Sequence, residues 1–283
     1  MPTFKITLAY DGTDFAGWQI QQSRRPSTVQ GELERVFRHI LRERVRVMGS
    51  GRTDAGVHAK GQVAHAKIRS PIPPAKLHRA LNALLPPEIV VLKVQDAPDG
   101  FHARYDAVAK RYHYHIMNAR VVLPFHRRYV HHVTVPLNVA LMRREARALR
   151  GRHDFRAFQK TGRPAAPPAR RGTSSAARTV PPRSARDTRR TLFDVRVSAR
   201  TGGWITLDVT GDGFLYGMVR RIAGTLIDVG RGFRPAGTTA SLLKTKDFRL
   251  APPTARRGAG LAGPMAPARG LCLVSVRYNS NKR

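Results

Sequence analysis

The residues best suited to chemistry lie in one glycine-flanked run, Gly51-Arg52-Thr53-Asp54-Ala55-Gly56-Val57-His58-Ala59. Glycines let backbone approach a ligand closely and permit dihedrals that other residues avoid. Asp54 is the candidate reactive group, a carboxylate beside an arginine in a loop that a ligand can approach closely. The competing reading is an Asp that merely shapes a Gly-containing turn. His58 and His65 lie nearby, but two histidines on short strands with no third ligand make a weak metal signal. No metal site is expected. The lone cysteine, Cys272, lies in an apolar run and reads as a small core residue. No P-loop or dinucleotide fingerprint occurs, so no cofactor is expected and no nucleotide is implied.

A second run, Lys110-Arg111-Tyr112-His113-Tyr114, alternates as a strand does. Tyr112, Tyr114 and Ile116 share one face, and Arg111, His113 and His115 share the other. Lys110 and Arg111 are candidates for phosphate contact, and a solvated strand face explains them equally well. Lys and Arg number 51 against 18 Asp and Glu, a net charge of +33. Such a field attracts a polyanion, whether RNA, DNA or an anionic membrane, although a generally basic proteome would produce part of the excess. No run of eighteen apolar residues exists to span a membrane. The opening residues go straight into a strand pattern without signal-peptide features, so the expected location is cytoplasmic.

The elements that must position these residues follow from hydrophobic periodicity. Residues 4–10 alternate as a strand and end in the turn signal Asp11-Gly12. Thr28 is a plausible N-cap for a helix whose Val29, Leu33, Val36, Phe37, Ile40 and Leu41 share one face. Strands are expected at residues 45–48, 62–68, 90–94, 110–117, 192–198, 204–210 and 271–278. Further helices are expected at 76–84, 137–149 and 216–229. The predicted fold class is α+β (mixed α/β): two similar subdomains, 1–105 and 106–283, share a largely antiparallel sheet. Helices cover one face, and an RNA-binding cleft lies between the subdomains. Residues 160–190, rich in Pro, Arg, Ala and Ser, read as an exposed insertion whose arginines could sample RNA phosphates.

Taken in order, the motifs resemble the TruA-type tRNA pseudouridine synthases. Residues 51–59 resemble that family's signature, in which the matching aspartate is the catalytic nucleophile. Tyr10-Asp11-Gly12, Gly17-Trp18-Gln19, Val29-Gln30 and Leu85-Pro86 are similar to its N-terminal segments. Phe101-His102-Ala103-Arg104-Tyr105 and the run at 110–114 are similar to its central segment. Gly213-Phe214-Leu215-Tyr216 with Met218-Val219-Arg220, then Ala262-Gly263-Pro264 and Gly270-Leu271, resemble its later motifs. The insertion is longer than the family's usual connection, so Arg190-Thr191 and Arg178-Thr179 compete for one tRNA-approaching role. Met265 stands where a small polar residue is common.

The resemblance implies an isomerase that makes pseudouridine at positions 38–40 of the tRNA anticodon stem-loop. It also implies a homodimer, with one tRNA spanning both subunits. Asp54 is its implied nucleophile. Arg52 takes the space left by the flipped base, and Tyr112 stacks on that base. Phe101, His102, Ala103, Arg104, Tyr105 and Arg120 correspond to tRNA-contacting positions. Arg220 is the candidate ion-pair partner of Asp54. Two other readings compete: a non-catalytic RNA-binding protein, and a metal-dependent nuclease or deaminase, which would need clustered ligands that this sequence lacks.

Overall fold

The computed structural model describes residues 1–21, 27–160, 187–244 and 262–279. Most of the Arg/Pro-rich stretch, including Arg178-Thr179, lies outside the described residues, as does the expectation that it forms an exposed insertion.

Strand β1, Thr3–Tyr10, buries Phe4, Ile6, Leu8 and Tyr10 in alternation, as a strand with one core face must. It runs antiparallel between β3, His58–Lys67, and β4, Ile89–Ala97. Helix α1, Val29–Leu41, starts at Thr28, whose Oγ1 accepts from the Gly31 N–H at 3.1 Å. Its buried Val29, Leu33, Val36 and Phe37 join the cluster that holds Phe4, Ile6 and Leu8. Helix α2, Pro74–Leu84, has Pro in its first turn, where a missing N–H has no helical partner to lose. The short β2, Val47–Gly49, pairs with β3.

In the second half β5, Ala107–Asn118, pairs antiparallel with β9, Trp204–Gly211, which pairs with β8, Arg189–Arg200. β6, His131–Val133, runs parallel to β5, and β7, Gly151–Asp154, closes the edge beside β8. The helices are α3, Val139–Arg147, α4, Met218–Gly230, and α5, Thr238–Lys244. The last strand, β10, is Leu271–Tyr278.

The strand order is β4-β1-β3-β10-β5-β9-β8-β7, with β2 and β6 paired off this path. The sheet is therefore mixed and mainly antiparallel, the α+β class expected. β10 is antiparallel to β5 but parallel to β3 over the pairs Cys272↔His58 and Leu273↔Ala59. That short seam joins the two halves of the chain. It brings the 50–57 loop, which leads into β3, near the strand that carries Tyr112.

Some boundaries differ from the sequence reading. α4 begins at Met218 rather than at 216, because Gly217 takes φ +69° and caps the helix outside helical space. β3 starts at His58, four residues before the expected 62. β6, β7 and α5 were not expected; runs of three, four and seven residues are too short to show a period. One close approach matters for the site. A Cβ on Gly224 of α4 would lie 1.8 Å from the Pro264 carbonyl oxygen, so residues 262–267 lie directly on that helix. Among the described residues, no helix is long and apolar enough to cross a membrane.

Candidate active site

Asp54 sits in the loop between β2 and β3, and hydrogen bonds to both neighbouring strands shape that loop. Ser50 N–H donates to the Val63 carbonyl at 2.7 Å, and Ser50 Oγ donates to Gln62 Oε1 at 2.8 Å. Gln62 Nε2 donates to the Gly51 carbonyl at 3.0 Å. Thr53 Oγ1 and the Tyr10 hydroxyl lie 2.9 Å apart, both buried. The Trp18 N–H donates to the Thr53 carbonyl at 3.1 Å. Gly17 makes this last approach possible: its φ is +97°, and a Cβ there would stand 2.6 Å from the Thr53 oxygen. The buried side-chain groups of Ser50 and Thr53 thus have partners, which fixes the backbone that presents Asp54.

The carboxylate meets Arg220, near the start of α4 and 166 residues away in sequence. Arg220 Nη1 donates to Asp54 Oδ2 at 3.0 Å. The same guanidinium donates from Nε to the Ala266 carbonyl at 2.7 Å, while the Ala266 N–H returns a bond to the Arg220 carbonyl at 3.1 Å. Side-chain exposure is 12% for Arg220 and 18% for Asp54, so solvent screens this pair only in part. A planar guanidinium held at two edges fixes the direction of the carboxylate as well as its charge environment.

Tyr112 projects from β5 with 7% exposure and meets Phe214 edge-on, ring centres 4.9 Å apart. Burial holds its phenol above the ordinary tyrosine range, and the negative charge of Asp54 acts in the same direction. Tyr114, two residues on, is a core residue whose hydroxyl donates to the Pro267 carbonyl at 2.9 Å.

A cavity of about 380 Å³ opens over the carboxylate, lined by Gln19, Arg52, Thr53, Asp54, Lys160 and Tyr216 among others. Its volume is in the range of small-ligand sites. A groove of about 430 Å³ between α2 and β4 is slightly larger, but it contains no carboxylate and lies apart from the Asp54 loop. The chemistry points to the smaller cavity. Arg52 is exposed at its edge, and the ion pair of Asp54 is with Arg220.

The 101–105 segment forms a ladder of rings. His102 and Tyr105 lie 4.2 Å apart, Phe101 and Tyr278 5.2 Å apart, and the Arg104 guanidinium stands 5.8 Å from the Tyr105 ring centre. Ala103 is fully buried: its N–H donates to His65 Nδ1 at 3.1 Å, and its carbonyl accepts from the Tyr278 hydroxyl at 2.7 Å. Arg120 is exposed, two residues beyond the end of β5, and does not line the cavity. Arg190-Thr191 opens β8, where it pairs with His153 and Arg152 of β7.

Among the described residues, no group of three His, Cys, Asp or Glu is placed to hold a metal. His65 accepts from Ala103 as above, and His58 Nδ1 accepts from the Gly12 N–H at 3.1 Å. Sequence reasoning missed Gln19, Tyr216 and Lys160 as cavity residues. The first two sat in quoted motifs without an assigned task, and Lys160 carried no local signal. Lys110 is a correction. It is not simply part of a solvated strand face, because its Nζ donates inward to the Ser50 carbonyl at 2.5 Å. Strand alternation, which puts residues 110 and 112 on one face, was the signal that could have found it.

The chain matches the family model for tRNA pseudouridine synthase over residues 6–106 and 146–279. It is 41% identical over 278 residues to a tRNA pseudouridine synthase A of Moorella thermoacetica, covering 98% of this chain and 100% of that one. A tRNA pseudouridine synthase A of Thermoanaerobacter sp. is 38% identical, covering 98% of this chain and 100% of its own. The tRNA pseudouridine synthase A 2 of Clostridium tetani is 36% identical, with 97% and 98% covered.

Proposed function

The chain belongs to the tRNA pseudouridine synthase family, and we propose from that premise that it isomerises uridine to pseudouridine in tRNA with Asp54 as its working carboxylate. The observation that carries this reading is the Asp54–Arg220 pair, 3.0 Å apart at the cavity above the loop. Two halves of the chain cooperate to orient one carboxylate, and a protein that only bound RNA would gain nothing from it. A carboxylate near phosphate repels it.

The reaction keeps every atom. The target uridine leaves the stack, at a cost of a few kcal/mol. Arg52, at the cavity edge, occupies the vacated space and pairs with phosphate. The bond from ribose C1′ to uracil N1 breaks, and its electron pair leaves with the base. Asp54 either bonds to C1′ or takes the C2′ proton. The base turns and C5 bonds to C1′ as Asp54 either leaves C1′ or returns the proton to C2′; the C5 proton is then lost, and N1 ends protonated. Tyr112 supplies the platform on which the base turns. The 101–105 ladder and Arg120 contact the tRNA backbone, which gives position rather than sequence readout. The anticodon stem-loop at positions 38–40 is the proposed target, and a homodimer with one tRNA across both subunits is the proposed assembly. The two subdomains meet near residue 105.

The Tyr112 platform has a direct test. Tyr112→Phe keeps the stacking face and most of the turnover, whereas Tyr112→Ala loses about 1–3 kcal/mol of stacking, roughly 5- to 150-fold in kcat/KM. Equal activity in both variants would remove the platform. The target region is tested by mapping pseudouridine in unmodified transcripts with uridines at 38, 39 and 40. Modification confined to those positions supports the proposal. Modification only elsewhere in the tRNA overturns the position while leaving the reaction standing.

A further inference from the structure

Among the described residues, Lys110 is a cation bonded to the Asp54 loop with no carboxylate to balance it. The residue as a whole is partly exposed, but its ammonium end is enclosed. Nζ donates to the Ser50 carbonyl at 2.5 Å, and a Cβ built on Gly51 would lie 3.1 Å from that Nζ and 4.0 Å from the Tyr112 hydroxyl. The amine and the phenol therefore flank the same glycine, three residues before Asp54. Among the described residues no carboxylate pairs with Lys110; the charge that acts on it is the like charge of Arg104. Burying a cation without a counter-ion is costly, and the usual escape is loss of the proton. Burial accordingly pulls this amine down to about 8, with Arg104 adding to the shift.

On the proposed reaction, an anion forms over the loop that this amine holds through the Ser50 carbonyl. When the C1′–N1 bond breaks, uracil departs with the electron pair, whichever way Asp54 acts. We propose that Lys110 is a positioning residue that also supplies, from beneath Gly51, fixed positive charge stabilising the departed uracil anion. The bond to Ser50 ties the Asp54 loop to the strand that carries Tyr112, so nucleophile and platform hold one register. The charge strengthens its interaction with the base only after the bond has broken, which is the condition for accelerating a step rather than tightening binding.

The surroundings decide the sign with pH. Arg104, from the preceding loop, is the cation that acts on this amine. Tyr112 on the same strand and Tyr278 on β10 are lifted by burial and remain neutral at pH 8. β9 places the uncharged Gly211 opposite Lys110. Lys110 is thus the local group that loses charge as pH rises through about 8.

The test compares the full-length wild type with Lys110→Met and Lys110→Arg, using single-turnover rates, tRNA affinity and thermal melts from pH 6.5 to 9.5. The inference rests on the proposed function, so a wild type without turnover would sink that reading first and separately. With turnover in hand, Lys110→Met is expected to lose roughly 10- to 100-fold in rate with tRNA affinity unchanged, short of the loss from deleting a donor in direct contact. Lys110→Arg is expected to recover much of the rate and to hold it above pH 8, where the wild type declines, because the guanidinium stays charged. A folded Lys110→Met at wild-type rate overturns the proposal. So does an alkaline decline that is the same in all three proteins. A Lys110→Met that fails to fold leaves the decision to the pH profile of Lys110→Arg against wild type.

Discussion

Asp54→Asn is expected to reduce pseudouridine formation by about four orders of magnitude or more, in line with loss of a principal catalytic group elsewhere. Asparagine has the same shape, and its amide oxygen can still accept from Arg220 Nη1, so the loop keeps its anchors through Ser50, Gly51 and Thr53. It cannot bond to C1′ as a leaving carboxylate or take a proton from C2′. Binding of tRNA should be undiminished, since removing a negative charge from a basic cleft favours a polyanion. Measured side by side, kcat separates from affinity. An Asn variant that keeps a tenth of the wild-type rate would mean that the carboxylate does not perform the chemistry.

Arg220→Met comes second in size. It removes both the bond to Asp54 Oδ2 and the bond to the Ala266 carbonyl. A kcat loss of about 10²–10³-fold is expected, the scale seen when one preorganised charge-bearing donor is deleted. Stability should fall by about 1–3 kcal/mol, because a half-buried carboxylate and a carbonyl lose their partner. Arg220→Lys is the sharper variant. Its single ammonium can reach Asp54 or Ala266 but cannot reproduce the fork that serves both, so rescue should be partial. Full turnover in Arg220→Lys would remove Arg220 as the group that orients Asp54.

The parts legible in the sequence were those with local causes. β1 announced itself through Phe4, Ile6 and Leu8, and α1 through Thr28 and a four-residue buried stripe. The Asp54 loop was legible because its glycines and charged residues are adjacent. The Asp54–Arg220 pair was not, since nothing local ties residues 166 positions apart. Only the resemblance suggested Arg220, and only the fold shows Ala266 as its second anchor. Segment 262–267 has no periodicity to read; its place follows from the smallness of Gly224, visible once a helix and a carbonyl are seen in contact. Lys110 failed for another reason. A lysine is assumed to face water, and its neighbour Arg111 does, pairing with Asp208 on the exposed face. The alternation that buries Tyr112 buries the Lys110 amine as well, so pattern should have outweighed residue type.

The most direct measurement is release of tritium from uracil C5 in an unmodified tRNA transcript, with a chelator present and no cofactor added. Forming the C5–C1′ bond expels that hydrogen, and binding alone cannot. Release in step with pseudouridine formed is the expected result. Tight tRNA binding with no release from transcripts carrying uridines at 38, 39 and 40 would contradict the proposed reaction at those positions and leave an RNA-binding protein in its place.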